Sequence, residues 1–230
     1  MTVEFIVKVL FALFLLTEFT LAAASRLKHC IRLAALQGVL IALLMLCSHT
    51  WDKGMPQAEL WITTLVTFSF KALLLPRLLK YAMVKVQVKR ELEPLCGYTL
   101  SLLLVLGSAA LFFLICRKYL SGVPVLHSMA VPVAFTGMFT GLFLIVARRK
   151  AITQALGFLV FENAITLFGI GILLHNGWIV EIGILLDVFV LIFIMGITLF
   201  QIRSTYSHID TDQLHMLRDS SGTEKEVPSK

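Results

Sequence analysis

Charge is scarce in this sequence. Lys, Arg, Asp and Glu together make up 15% of its 230 residues, against roughly 25% in a soluble domain. Hydrophobic residues reach 58%, and the mean hydropathy is +0.90. That balance excludes water as the solvent for most of the chain, and with it a sizeable soluble catalytic domain. Cysteine is scattered: Cys30, Cys47, Cys96 and Cys116 form no CxxC and no Cys/His ligand spacing. Iron–sulfur, zinc and nickel sites are therefore not expected, and each Cys reads as a small apolar packing residue near a span end. His29, His49, His127, His175, His208 and His215 all fall in links, span ends or the tail. There is no Gly-rich phosphate loop, no Ser/His/Asp set and no Cys/His pair. The chain is expected to hold no catalytic site, metal or cofactor of its own. Despite a net charge of +6, no basic helix is interleaved with aromatics, so nucleic acid is not an expected partner.

What the sequence has in quantity is long apolar runs. A bilayer core about 30 Å thick asks for roughly 20 apolar residues per helix. Spans of that length are expected at about 3–23, 31–50, 58–79, 97–116, 127–147, 151–173 and 179–202: an all-α polytopic bundle of about seven transmembrane helices. Arg26, Lys28 and Arg32 follow the first span; Arg77, Lys80, Lys85, Lys89 and Arg90 follow the third; Arg148, Arg149 and Lys150 follow the fifth. The second link carries only Lys53, the fourth Arg117 and Lys118, and the sixth neither Lys nor Arg. By the positive-inside rule the N-terminus lies outside and the C-terminus in the cytoplasm, with Trp51, Trp61 and Trp178 near the outer boundary. Lys8 ahead of an apolar run and Ala22-Ala23-Ala24-Ser25 after it imitate a cleaved signal peptide. Glu4, Glu18 within the run and the immediate second span indicate that the segment is retained.

The expected organisation is a transmembrane domain over 1–203 and a polar cytoplasmic tail over 204–230. Ala35-Leu36-Gln37-Gly38 is faintly echoed by Ala155-Leu156-Gly157, and Glu59 and Trp61 by Trp178 and Glu181. Parallel repeats over 1–80 and 127–203, with span 97–116 between them, would account for this.

Ionisable groups inside the hydrocarbon carry most of the functional information, because a charge at the bilayer centre costs about 2.5 to 3.5 kcal/mol even on insertion scales. Lys71 lies roughly 18 Å into the third expected span, beyond easy snorkelling. Desolvated, it can exchange a proton, or it can form a static ion pair with an acid on another helix. Glu162 lies near the middle of the sixth expected span with Asn163 beside it and Thr166 one turn on. It can load and release protons, or it can be a neutral group whose hydrogen bond holds two helices together. Asp187 is the buried candidate of the seventh expected span; Glu181, near that span's outer end, can equally be a solvated interfacial group. Lys71, Glu162 and Asp187 share a depth and would allow a polar line along the membrane plane, to which Gln37 could contribute. Pro76 should disturb the helix next to Lys71. Pro132 reads as a kink, and Gly137 and Gly141 as a packing GxxxG.

The run Arg148-Arg149-Lys150 through Gly157-Phe158-Leu159-Val160-Phe161-Glu162-Asn163-Ala164, then Val180-Glu181-Ile182-Gly183-Ile184-Leu185-Leu186-Asp187, resembles the hydrogenase 4 component E family. So do the tail Ile209-Asp210-Thr211-Asp212-Gln213-Leu214 and, upstream, Phe70-Lys71-Ala72-Leu73-Leu74-Leu75-Pro76. The resemblance implies a membrane subunit of formate hydrogenlyase-type, group 4 [NiFe]-hydrogenase complexes in the bacterial inner membrane. Its C-terminal half would be similar to the K-type subunit of respiratory complex I. Implied partners are antiporter-like membrane subunits, a membrane anchor subunit, and peripheral hydrogenase and iron–sulfur subunits that hold the metals. Glu162 would then stand for a mid-membrane Glu of the lateral proton path. The K-type subunit has its first Glu four residues before an Asn-Ala pair, where this chain has Leu159; Glu162 adjoins the pair. The function expected from this resemblance is proton translocation or coupling by a non-catalytic subunit. A scaffold between antiporter-like subunits and a stand-alone secondary transporter are the alternatives.

Overall fold

The structure, a computed structural model, describes residues 2–49, 57–85, 97–119, 125–148, 151–172, 188 and 192–196. Six of its helices are long and apolar enough to cross a membrane. In chain order the elements are α1 (Thr2–Ala23), α2 (Leu27–His49), α3 (Gln57–Thr67), a π-helical segment (Phe68–Leu74), α4 (Leu75–Lys85), α5 (Tyr98–Tyr119), α6 (Val125–Ala147) and α7 (Ala151–Ile172). In hydrocarbon a backbone amide finds no water, so runs such as Leu10 to Leu16 satisfy their peptide groups within the helix. A helix of 22 residues, like α1 or α5, is about 33 Å long and matches the bilayer core.

Two boundaries differ most from the expected spans. α2 begins at Leu27 rather than near 31, because Leu27, Cys30 and Ile31 are buried in the bundle and the helix carries its basic residues through the interface. The third span runs on to Lys85 instead of stopping at 79, because Leu75, Leu79, Ala82 and Met83 recur at helical spacing and are buried, while Arg77, Lys80 and Tyr81 stay exposed. A hydropathy window penalises such an amphipathic end; packing does not. Most of the seventh expected span, 179–202, lies outside the described residues. Within it 192–196 are helical, Ile194 is buried, and the Phe193 ring centroid is 5.8 Å from that of Phe158 on α7.

The centre of the bundle is two helical hairpins. α1 packs on α2 and α6, α2 packs on α7, and α6 and α7 form the closest pair; the third span lies against α2 and α7, and α5 against α6 and α1. Lipid tails are as apolar as leucine, so burial of leucine alone does not drive these helices together; close packing through small residues does. A Cβ on Gly141 would lie 2.5 Å from the Phe161 backbone nitrogen. The GxxxG of α6 is therefore a contact surface for α7.

Two apolar clusters occupy opposite ends of the bundle. One gathers Leu21, Leu27, Cys30, Leu79, Met83, Leu144, Ile152 and Leu156, next to the basic links. The other gathers Val7, Phe11, Phe14, Leu40, Leu44, Ala130, Val133, Leu167 and Ile170, at the ends with few basic residues. Arg26, Lys28 and Arg148, and the basic end of α4, thus lie at one end, as alternation of sides requires. Between the two clusters lies a polar layer.

Candidate functional site

Each helix of the central four contributes to that layer at the point where its residues pass from one apolar cluster to the other. Glu18 and Thr17 sit between Phe14 and Leu21 on α1, and Gln37 between Ala34 and Leu40 on α2. Thr136 and Thr140 sit between Ala134 and Leu144 on α6, and Glu162 and Asn163 between Val160 and Leu167 on α7. Lys71 enters from the π-helical segment. All of these side chains are buried; Glu18, Gln37, Glu162 and Asn163 are 0% exposed and Lys71 2%.

Lys71 Nζ donates directly to Glu162 Oε1, pairing residues 91 apart in sequence. The π-helical segment carries the lysine there. Pro76 has no N–H and its ring crowds the carbonyl four residues back, that of Ala72; the wider turn accommodates it, with the Leu75 N–H bonded to the Phe70 carbonyl five residues earlier. The disturbance expected from Pro76 next to Lys71 thus takes the form of a π segment within a continuous span, a form frequent at functional sites. Gly38 of α2 seats the segment: a Cβ there would lie 2.7 Å from the Lys71 carbonyl carbon and 2.8 Å from the Ala72 nitrogen.

From the other side of the same turn of α2, Gln37 Nε2 donates to Glu18 Oε1 at 2.8 Å and to Thr17 Oγ1 at 3.0 Å. Thr17 in turn donates to the Phe14 carbonyl at 2.6 Å. Asn163 Nδ2 donates to Gln37 Oε1 at 3.2 Å and lies 3.4 Å from the Ala34 carbonyl oxygen. Glu18, Gln37 and Asn163 therefore form one hydrogen-bonded chain across α1, α2 and α7, and Asn163 adjoins the paired Glu162. The Thr166 hydroxyl donates to the Glu162 carbonyl at 3.1 Å and so takes part in the backbone of this turn rather than in the carboxyl chemistry. Three acceptors in the layer have no hydrogen-bond partner among the described residues: Glu18 Oε2, Glu162 Oε2 and Asn163 Oδ1.

The structure thus brings together Lys71, Glu162, Asn163 and Gln37. Asp187 and Glu181 lie outside the described residues. Sequence reasoning passed over Glu18, which it used only as a sign that the first segment is retained. The signal was present: Glu18 is a carboxyl within an apolar run, the same pattern that singled out Glu162. A cleft of about 620 Å³ between α5 and α6, lined by Phe113, Leu114, Arg117, Met129 and Pro132 among others, includes none of the layer's residues.

No family model and no solved structure matches the chain. It is 31% identical over 194 residues to uncharacterized protein Rv0085 of Mycobacterium tuberculosis (strain H37Rv), a match covering 84% of this chain and 87% of that protein. The chain belongs to the same family as Rv0085. A match of 194 residues in a chain of 230 must include residues 37–194, so Gln37, Lys71, Glu162 and Asn163 fall within the length shared with Rv0085.

Proposed function

We propose that this chain is a non-catalytic membrane subunit of a hydrogenase-like, complex I-related energy-converting complex in a bacterial inner membrane, and that its polar layer conducts or couples protons. The observation that carries the reading is the layer itself: the Lys71–Glu162 pair and, beside it, a Glu18–Gln37–Asn163 hydrogen-bonded chain, buried at mid-depth where an ionisable group is otherwise unfavourable. Glu162 and Lys71 are its exchanging pair, and Asp187 and Glu181 extend the line on sequence grounds alone. The resemblance to hydrogenase 4 component E supplies the partners: antiporter-like subunits, a membrane anchor, and peripheral hydrogenase and iron–sulfur subunits.

The test is Glu162→Gln in the native membrane. Gln keeps an acceptor oxygen for Lys71 but cannot lose a proton, so in those complexes that assemble, seen as co-purification of their subunits in mild detergent, redox-driven ion movement should be lost. Recovery of the wild-type chain alone would dismiss the complex, and normal ion movement in an assembled variant would dismiss the relay. The direct Lys71–Glu162 contact favours a second reading, a scaffold held by a static ion pair. On that reading Glu162→Gln reduces assembly and leaves the coupling of assembled complexes intact.

A further inference from the structure

The titratable groups of the layer, taken over the described residues, are Glu18, Glu162 and Lys71: two carboxyls and one ammonium. Lys71 contacts Glu162. No Lys, Arg or His among the described residues pairs with Glu18; its surroundings are the Gln37 amide, the Thr140 hydroxyl and the space where a Gly137 Cβ would stand. A carboxylate without a cation in a dry interior is strongly unfavourable, and such a group takes a proton instead. We propose that Glu18 is a proton-binding site: its carboxyl holds one proton in the resting protein, so that the described ionisable groups of the layer sum to zero charge, and the Gln37–Asn163 amides run from it to the residue next to Glu162.

The hydrogen bonds assign the atoms. Oε1 accepts from the Gln37 amide and is the carbonyl oxygen; Oε2, which accepts nothing from the described residues, carries the hydrogen. A proton taken from water adds to Oε2 and returns to water when it leaves, with no other bond made or broken. Gly137 makes the space: a Cβ on it would stand 3.1 Å from Glu18 Oε1 and 2.8 Å from the Ala164 Cβ. Gln37 is committed on both sides, donating to Glu18 and accepting from Asn163. Ionisation of Glu18 would therefore strengthen the Gln37 bond by making it charge-assisted, and would be felt at Asn163 and Glu162. Joining Glu18 to the exchanging pair rests on the proton-coupling reading above; the protonated carboxyl does not.

Infrared spectroscopy of the full chain in lipid nanodiscs at neutral pH tests the assignment. The expected result is a protonated-carboxyl carbonyl band that moves on exchange into D2O and on ¹³C-glutamate labelling, persists in Glu162→Gln and vanishes in Glu18→Gln. Gln37→Leu, which removes the bond to the carbonyl oxygen, should move the band to higher frequency. Absence of the band from the wild type, or its persistence in Glu18→Gln, overturns the site; an unmoved band in Gln37→Leu overturns the link to the pair. If Glu18→Gln does not insert, the band's presence in Glu162→Gln still decides, because its loss there would assign the proton to Glu162. Failure of ion coupling to respond to Glu162→Gln would sink the functional reading without touching this band.

Discussion

The ammonium of Lys71 and the carboxylate of Glu162 stabilise the bundle only as a pair. Removing one partner of a buried ion pair leaves the other charge uncompensated and costs about 3 to 5 kcal/mol, whereas removing both is often near neutral. Lys71→Met alone should therefore lower thermal stability in detergent markedly, and Lys71→Met with Glu162→Gln should recover most of the loss. A double variant no more stable than the single one would mean that the pair is not the dominant interaction at this point. The recovered variant also separates the two functional readings, because it removes exchange while sparing assembly. Lys71 and Glu162 were legible in the sequence because each interrupts an apolar run. Their partnership was not, since sequence gives depth along a helix but not which face meets which neighbour. Glu18 escaped notice because it lies close to the basic end of its run, where a carboxyl is less conspicuous.

At the scale of the helix, packing in lipid turns on where backbones approach. Gly141 abuts the Phe161 backbone, so Gly141→Ala must push α7 from α6; overpacking of this kind costs about 1 to 3 kcal/mol. Gly107 of α5 has nothing within 4 Å of where a Cβ would stand, and Ala is favoured over Gly inside a helix by about 1 kcal/mol. Melting of the two purified variants should move in opposite directions, and a Gly141→Ala protein as stable as the wild type would show that the hairpin is looser than described. The GxxxG could be read as a contact from the sequence. The π-helical segment could not: Pro76 announced a disturbance, but whether the span breaks, kinks or widens depends on the seat that Gly38 offers on another helix.

For the whole molecule, the layering of apolar cluster, polar plane and apolar cluster fixes which links share a side. Arg26, between α1 and α2, and Arg117, in the last turn of α5, are both exposed and stand at ends that the basic-residue bias assigns to opposite faces. In a background with the native cysteines replaced, Arg26→Cys should react with an impermeant maleimide only after the membrane is opened. Arg117→Cys should react in intact cells. Labelling of both from one side would contradict the alternation. Six spans and their order followed from run length and composition, because hydrocarbon forces every crossing backbone into a helix.

The sequence by itself determined that the chain is helical and membrane-spanning, where most of its spans lie and which ends carry the basic residues. These follow from transfer energies and backbone hydrogen bonding, which act locally along the chain. Only the tertiary structure decided that Lys71 meets Glu162, that Gln37 and Asn163 extend the polar layer to Glu18, and that Pro76 produces a π segment rather than a break. Each of these depends on residues tens of positions apart reaching the same depth on facing helices. Small residues such as Gly38 and Gly137 set that approach by leaving room for another helix's backbone or carboxyl.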